Sequence, residues 1–234
     1  MSAEELDHGI QQVINDPVCR RSVADALMGQ MISPTPMTKR EWAERETKAM
    51  RTLGLLDEEA VQNDALRIEM IANRGGCGMN HYFIPADLTR ERLIELARKV
   101  GIKIDDDPNC NGEEILTEAG VLECDLATIM NSTDGEHRPF NLNYDEHDAW
   151  ALAQGGDGLT SAEETLYLMI RHFMSFGRIL FMGGWIRTRN ACDADCSLDV
   201  CFFAGCGLFF FWFSRSFRSW SYGAVARKFK PLAT

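Results

Sequence analysis

The chain has 234 residues, 45% of them apolar and 25% charged, which suits a globular protein with a sizeable buried core. Thirty-five acids against 24 bases leave a net charge of −11, which disfavours a nucleic-acid partner because phosphate binding needs clustered positive charge. The polar, acidic start MSAEELDHGIQQ is unlike a secretory leader, and the longest apolar run, Val200 to Phe213, is too short for a membrane helix, so a cytoplasmic protein is expected.

In chain order, residues 3–32 show helical periodicity, with Leu6, Ile10, Val13 and Ile14 on one face and an interruption at Pro17. SPTPMT (33–38) is a break, and Thr38 with Glu41 reads as a capping box for a charged helix from Lys39 to Leu53, ended by Gly54. Residues 57–73 read as a further helix and RGGCGMN (74–80) as a loop. HYFIPADL suggests a short strand and turn, and Thr89 caps a helix that ends at Gly101. DDDPNCNGEE (105–114) only loosely resembles a calcium loop, because Pro108 sits inside it and the closing Glu comes too early; it reads as a solvated acidic loop.

The second half opens with an acid- and base-rich cluster, Asp145, Glu146, His147 and Asp148 beside Trp150. With no nucleophile or second motif beside it, a solvated loop is the expected structure and an enzyme's acid/base group the alternative. Thr160 and Glu163 read as a capping box for SAEETLYLMIRHFMSF, whose Leu166, Met169, Ile170 and Phe173 share a face and which Gly177 stops. RILFMGGWIRT, SLDVCFF, GLFFFWFS and YGAVARKF read as four strands of a small antiparallel sheet, with Gly205–Cys206–Gly207 as a tight connection. Helices followed by such a sheet make an α+β protein: a helical region of unknown role over 1–120 and a second domain over 140–234.

Side chains alternate faces along a strand. Leu198, Val200 and Phe202 match Leu208, Phe210 and Trp212 as the core set, which leaves Phe209, Phe211 and Phe213 on the face of Ser197, Asp199 and Cys201. An outward aromatic patch usually binds something. The alternative is a sheet buried on both faces.

Composition changes abruptly in this region. Residues 1–189 hold 38 Glu, Lys, Gln and Met residues and residues 190–226 none, where roughly seven are expected at the same rate. Strands are poor in Glu and Lys; a restricted mutational process is the sharper explanation. Residues 200–234 also carry Arg215, Arg218, Arg227, Lys228 and Lys230 without one acid, a face able to attract an acidic partner. Four of the eight cysteines, Cys192, Cys196, Cys201 and Cys206, fall within 15 residues, but C-x3-C-x4-C-x4-C lacks a C-x2-C knuckle and a nearby His. No metal, cofactor or disulfide is expected; a zinc-stabilised interaction module is the alternative.

The segments Gly156–Leu159 (GDGL), Gly177–Phe181 (GRILF), Trp185–Thr188 (WIRT), Gly205–Leu208 (GCGL) and Gly223–Phe229 (GAVARKF) together resemble the variable protein of a diversity-generating retroelement. The resemblance covers roughly residues 155–230 and none of 1–120. It implies a C-type lectin-like domain that displays varied residues for ligand binding and performs no chemistry. It also implies that a reverse transcriptase rewrites AAY codons, which never yield Glu, Gln, Lys, Met or Trp. The varied, ligand-binding positions it implies are Gly183, Gly184, Cys192, Asp193, Cys201, Phe209, Phe211, Phe213, Arg215, Ser216, Phe217 and Ser221, with Trp185, Trp212 and Trp220 as scaffold. No lectin-type calcium motif and no R-G-G-S-W signature accompanies it. The implied partner is a macromolecule, with protein favoured by an aromatic and Arg-bearing surface.

Overall fold

A computed structural model describes residues 38–56, 81–104, 115–123, 141–177, 185–191, 194–203, 207–218 and 222–231. The helices expected over 3–32 and 57–73, the loops at 74–80 and 105–114, and the 178–184 part of the first expected strand lie outside the described residues.

Local signals in the sequence start and stop the helices. Thr38 and Glu41 form a reciprocal capping box for α1 (Lys39–Leu53), and Gly54 closes it in the left-handed conformation. His81–Ile84 is strand β1, and Thr89 caps α2 (Arg90–Lys99) by accepting from the Arg92 N–H. Gly120–Glu123 is strand β2.

The acid-rich segment is a correction. It is helix α3 (Tyr144–Ala153), with Asn143 and Glu146 as its capping box and His147 buried. Here the cap outweighs the polar composition, and Tyr144, His147 and Ala151 supply a buried side.

The next helix, α4 (Ala162–Phe176), starts one residue later than expected. Its box is Ser161 with Glu164, and Gly177 ends it in the left-handed region. Glu163 is unavailable as a capping residue because Arg90 and Asn190 take its carboxylate. Residues 162–172 are buried on every side rather than on one stripe, as befits a helix at the centre of a protein.

The strands β3 (Trp185–Ala191), β4 (Cys196–Phe203), β5 (Gly207–Ser214) and β6 (Tyr222–Ala224) form a sheet in the order β5-β4-β3-β6. It is mixed rather than purely antiparallel, because β6 runs parallel to β3. The last expected strand is two. Its second piece, β7 (Lys228–Pro231), pairs with β2 in another sheet of order β1-β2-β7. The described protein is thus α+β, with α4 packed against α2, β1, β3 and β4.

The described residues from Thr38 onward belong to one compact unit. Besides β2–β7, Leu208 bridges Ile104 and its N–H donates to the Lys103 carbonyl. Gly207 permits that approach: its φ is +118°, and a Cβ there would sit 2.6 Å from the Lys103 carbonyl oxygen. No helix among the described residues is long and apolar enough to cross a membrane.

Candidate functional site

Register fixes the faces of the second sheet. Leu198 lies opposite Trp212, Val200 opposite Phe210 and Phe202 opposite Leu208. Leu198, Val200 and Leu208 are fully buried and Phe210 nearly so. Trp212, expected in the same core, is only half-buried near the end of its strand.

On the other face, Ser197 lies opposite Phe213, Asp199 opposite Phe211 and Cys201 opposite Phe209. Beyond β4, Trp185 lies opposite Cys201 and Arg187 opposite Asp199. Short side chains therefore fill the middle strand, and large aromatic ones stand on both sides of it. The flanking rings meet above the short residues. Trp185 is edge-on to Phe213 at 5.0 Å and to Phe211 at 6.3 Å between ring centroids. Phe211 and Phe213 are 4.9 Å apart, and Phe217 stacks on Phe213 at 6.0 Å.

This face is a partly open aromatic surface. Phe211 is 52% and Phe217 44% exposed, while Trp185, Phe209 and Phe213 are half-buried. Trp185, expected to be scaffold only, belongs to the cluster. Cys201, expected among the outward, ligand-binding positions, is fully buried. The cause is its place on the central strand, between Trp185 and Phe209. Gly183, Gly184, Cys192, Asp193 and Ser221, with Cys206 and Trp220, lie outside the described residues.

The remaining positions expected to vary, Arg215, Ser216 and Phe217, sit in the turn after β5. The Phe217 N–H donates to the Ser214 carbonyl at 3.0 Å, and the Ser214 and Ser216 hydroxyls are 2.9 Å apart. Helix α3 holds this turn from outside. The Arg215 guanidinium lies over the Tyr144 ring at 3.6 Å and 3.6 Å from Asp145, and the Tyr144 N–H donates to the Arg215 carbonyl. Arg218 pairs with Glu146 at 2.5 Å. Glu146 is held below the usual carboxylate range, first by the Asn143 N–H and then by Arg218. Asp145 and Glu146 are therefore engaged as anchors of the turn, and His147 is buried in the helix behind them.

The sequence reading passed over Arg187 and Asp199. Both are fully buried beneath the aromatic rings, with Arg187 Nε 3.7 Å from Asp199 Oδ2. Arg187 Nη1 donates to the Phe217 carbonyl at 3.2 Å, and the Ser197 hydroxyl donates to Asp199 at 3.3 Å. The available signal was a charged residue inside each of two adjacent apolar strands, WIRT and SLDVC.

Burial pushes the Asp199 carboxyl up to about 7, against the opposing pull of Arg187 and Ser197. An unfolded Asp titrates near 3.9. Between those values the folded protein keeps a proton that the unfolded chain has lost, so this group favours folding most at low pH and loses that contribution as pH rises towards 7. Wild-type stability minus that of Asp199→Asn should therefore fall between about pH 4 and pH 7, at up to about 1.4 kcal/mol per pH unit, and level off above. Urea denaturation of both proteins over pH 4–8 measures it; a difference that rises with pH would refute the sign.

Burial and the nearby Asp199 also push the Cys201 thiol up to about 12, which keeps it protonated and poorly suited to metal ligation. Cys201 is a free thiol, and no group of three metal-ligating side chains occurs among the described residues. A separate open cavity of about 70 Å³ lies between Ile84, Leu116, Glu164, Arg189, Arg227 and Phe229. Arg227 is bonded there to Glu164 and Asp157, and Arg189 lies 3.5 Å from Glu164.

Comparison with family models, with curated proteins and with solved structures gave no match to this chain.

Proposed function

We propose that the protein is a recognition protein, the variable protein of a diversity-generating retroelement, whose C-terminal half is a C-type lectin-like variant that presents a diversified face to a protein ligand. The observation that carries this reading is the aromatic surface of Trp185, Phe209, Phe211, Phe213 and Phe217, set on one sheet face while the opposite face holds the core. A rigid sheet tolerates replacement on its outward side because the inward set fixes register and packing.

The composition of 190–226 supports the same reading. That stretch contains no Glu, Lys, Gln or Met, and the three outward Phe, Arg215, Ser216 and Phe217 are all types that an AAY codon can reach. Large rigid rings give wide contact with few rotamers to freeze, and aromatic and Arg side chains suit protein interfaces. The acidic net charge argues against nucleic acid as the ligand. A reducing, cytoplasmic setting accords with the free thiol of Cys201. The test is where copies of the gene differ: substitutions should fall on codons of the outward face and its turn and spare those of the core set.

A further inference from the structure

We propose that Arg187 is the positioning residue of the aromatic face, holding the 214–218 turn from beneath so that Phe217 stays stacked on Phe213. The proposal deepens the recognition reading and rests on it. The turn carries Arg215, Ser216 and Phe217; the Tyr144 N–H donates to the Arg215 carbonyl and the Arg215 N–H to the Asp195 carbonyl, and beyond these backbone bonds it has side-chain braces of two kinds. From outside, Arg215 with Asp145 and Arg218 with Glu146 are solvent-accessible pairs in which Asp145 is 87% and Arg218 49% exposed. Such pairs are weak and are screened by salt.

From beneath, the brace is a buried cation. Arg187 sits against Asp199 on the neighbouring strand and reaches the Phe217 carbonyl oxygen, at the very residue that extends the aromatic surface beyond the sheet. The planar guanidinium suits this double role, because separate nitrogens face the carboxylate and the carbonyl. Arg187 is on an inner strand of the sheet, paired on one side with β4 and on the other with β6, so strands hold its backbone from both sides. The strands hold one end of the contact and the turn the other. Side chains on the turn can then vary while a backbone carbonyl, which every residue has, remains the anchor.

Amide hydrogen exchange of the segment 211–218 tests this in the full chain, for wild type, R187K, and the double variant R187M with D199N. R187K keeps a charge opposite Asp199 but lacks the planar fork; the double variant removes the buried pair together and guards against a misfolded single variant. Exchange of the Arg215 and Phe217 amides should rise about tenfold or more in both variants, while that of Val121 and Leu122 in β2 stays within about threefold of wild type. In wild type at 1 M salt, where the Debye length is about 3 Å, those turn amides should stay within about threefold of their low-salt rates. Unchanged turn exchange in both variants, or a tenfold rise in wild type from salt alone, would overturn the role of Arg187. Gene variation that avoids the face would end the recognition reading and leave the exchange result standing, so the two failures are distinguishable.

Discussion

Replacing Glu46 with Ala should destabilise the protein by about 3–5 kcal/mol, because it strands a buried cation. Glu46 of α1 and Arg171 of α4 are both fully buried and form a two-pronged pair at 2.9 and 3.0 Å. The Glu46 carboxylate also accepts from the Phe83 N–H at 2.7 Å and from Arg45 at 2.9 Å. Burial works against the charge on Arg171, yet Glu46 and Tyr167 together hold its pKa above the ordinary value. Tyr167 in turn donates to the Phe83 carbonyl at 2.6 Å. One carboxylate thus joins α1, β1 and α4, and its loss leaves several buried groups unsatisfied. Glu46→Gln, which keeps an acceptor for Phe83, should lose less. Urea denaturation measures both, and a loss below about 1 kcal/mol for Glu46→Ala would show that the pair does not hold the core.

The second large effect separates the two faces of β5. Phe210→Ala should cost about 3–5 kcal/mol, as removal of a buried aromatic does. Phe210 is 5% exposed, faces Val200 and lies under the Arg90 guanidinium at 5.5 Å. Phe211→Ser, one residue on, should change stability by no more than about 1 kcal/mol, because that ring is half in solvent. Trp212→Ala should fall between them, since Trp212 is only half-buried despite sharing the inward side. Thermal or urea unfolding of the three variants gives the order; equal losses for Phe210 and Phe211 would mean that β5 has no solvent-facing side.

Features set by neighbouring residues were legible in the sequence. The period of two placed Phe209, Phe211 and Phe213 together, and the pairing of β4 with β5 carries the same sets across the sheet. Thr38 with Glu41, Thr89, and the left-handed Gly54 and Gly177 act where the local pattern puts them. The start of α4 shows the limit. Thr160-x-x-Glu163 and Ser161-x-x-Glu164 are equally good capping boxes on paper, and the choice is made by Arg90 and Asn190, distant residues that claim Glu163. Arg187 and Asp199 meet only through a register that is irregular between Arg187 and Ala191, and Glu46 meets Arg171 across 125 positions. Alternation could assign Cys201 to the aromatic face but not say that neighbours on both sides would bury it. YGAVARKF looked continuous because its apolar and basic residues suit a strand throughout. The chain instead leaves one sheet after Ala224 and joins the other at Lys228, with Ala226 bridging Leu159 between them.

The most direct test of the recognition face is to sequence the 3′ end of this gene, with its flanking DNA, from many cells of a population that carries it. Substitutions should concentrate at the codons of Phe209, Phe211, Phe213, Arg215, Ser216 and Phe217, leave Leu198, Val200, Leu208 and Phe210 unchanged, and match a nearby near-copy that differs mainly at adenines. Substitutions spread evenly over outward and inward codons, with no such copy beside the gene, would contradict the account and leave the aromatic face an ordinary part of a two-sided sheet.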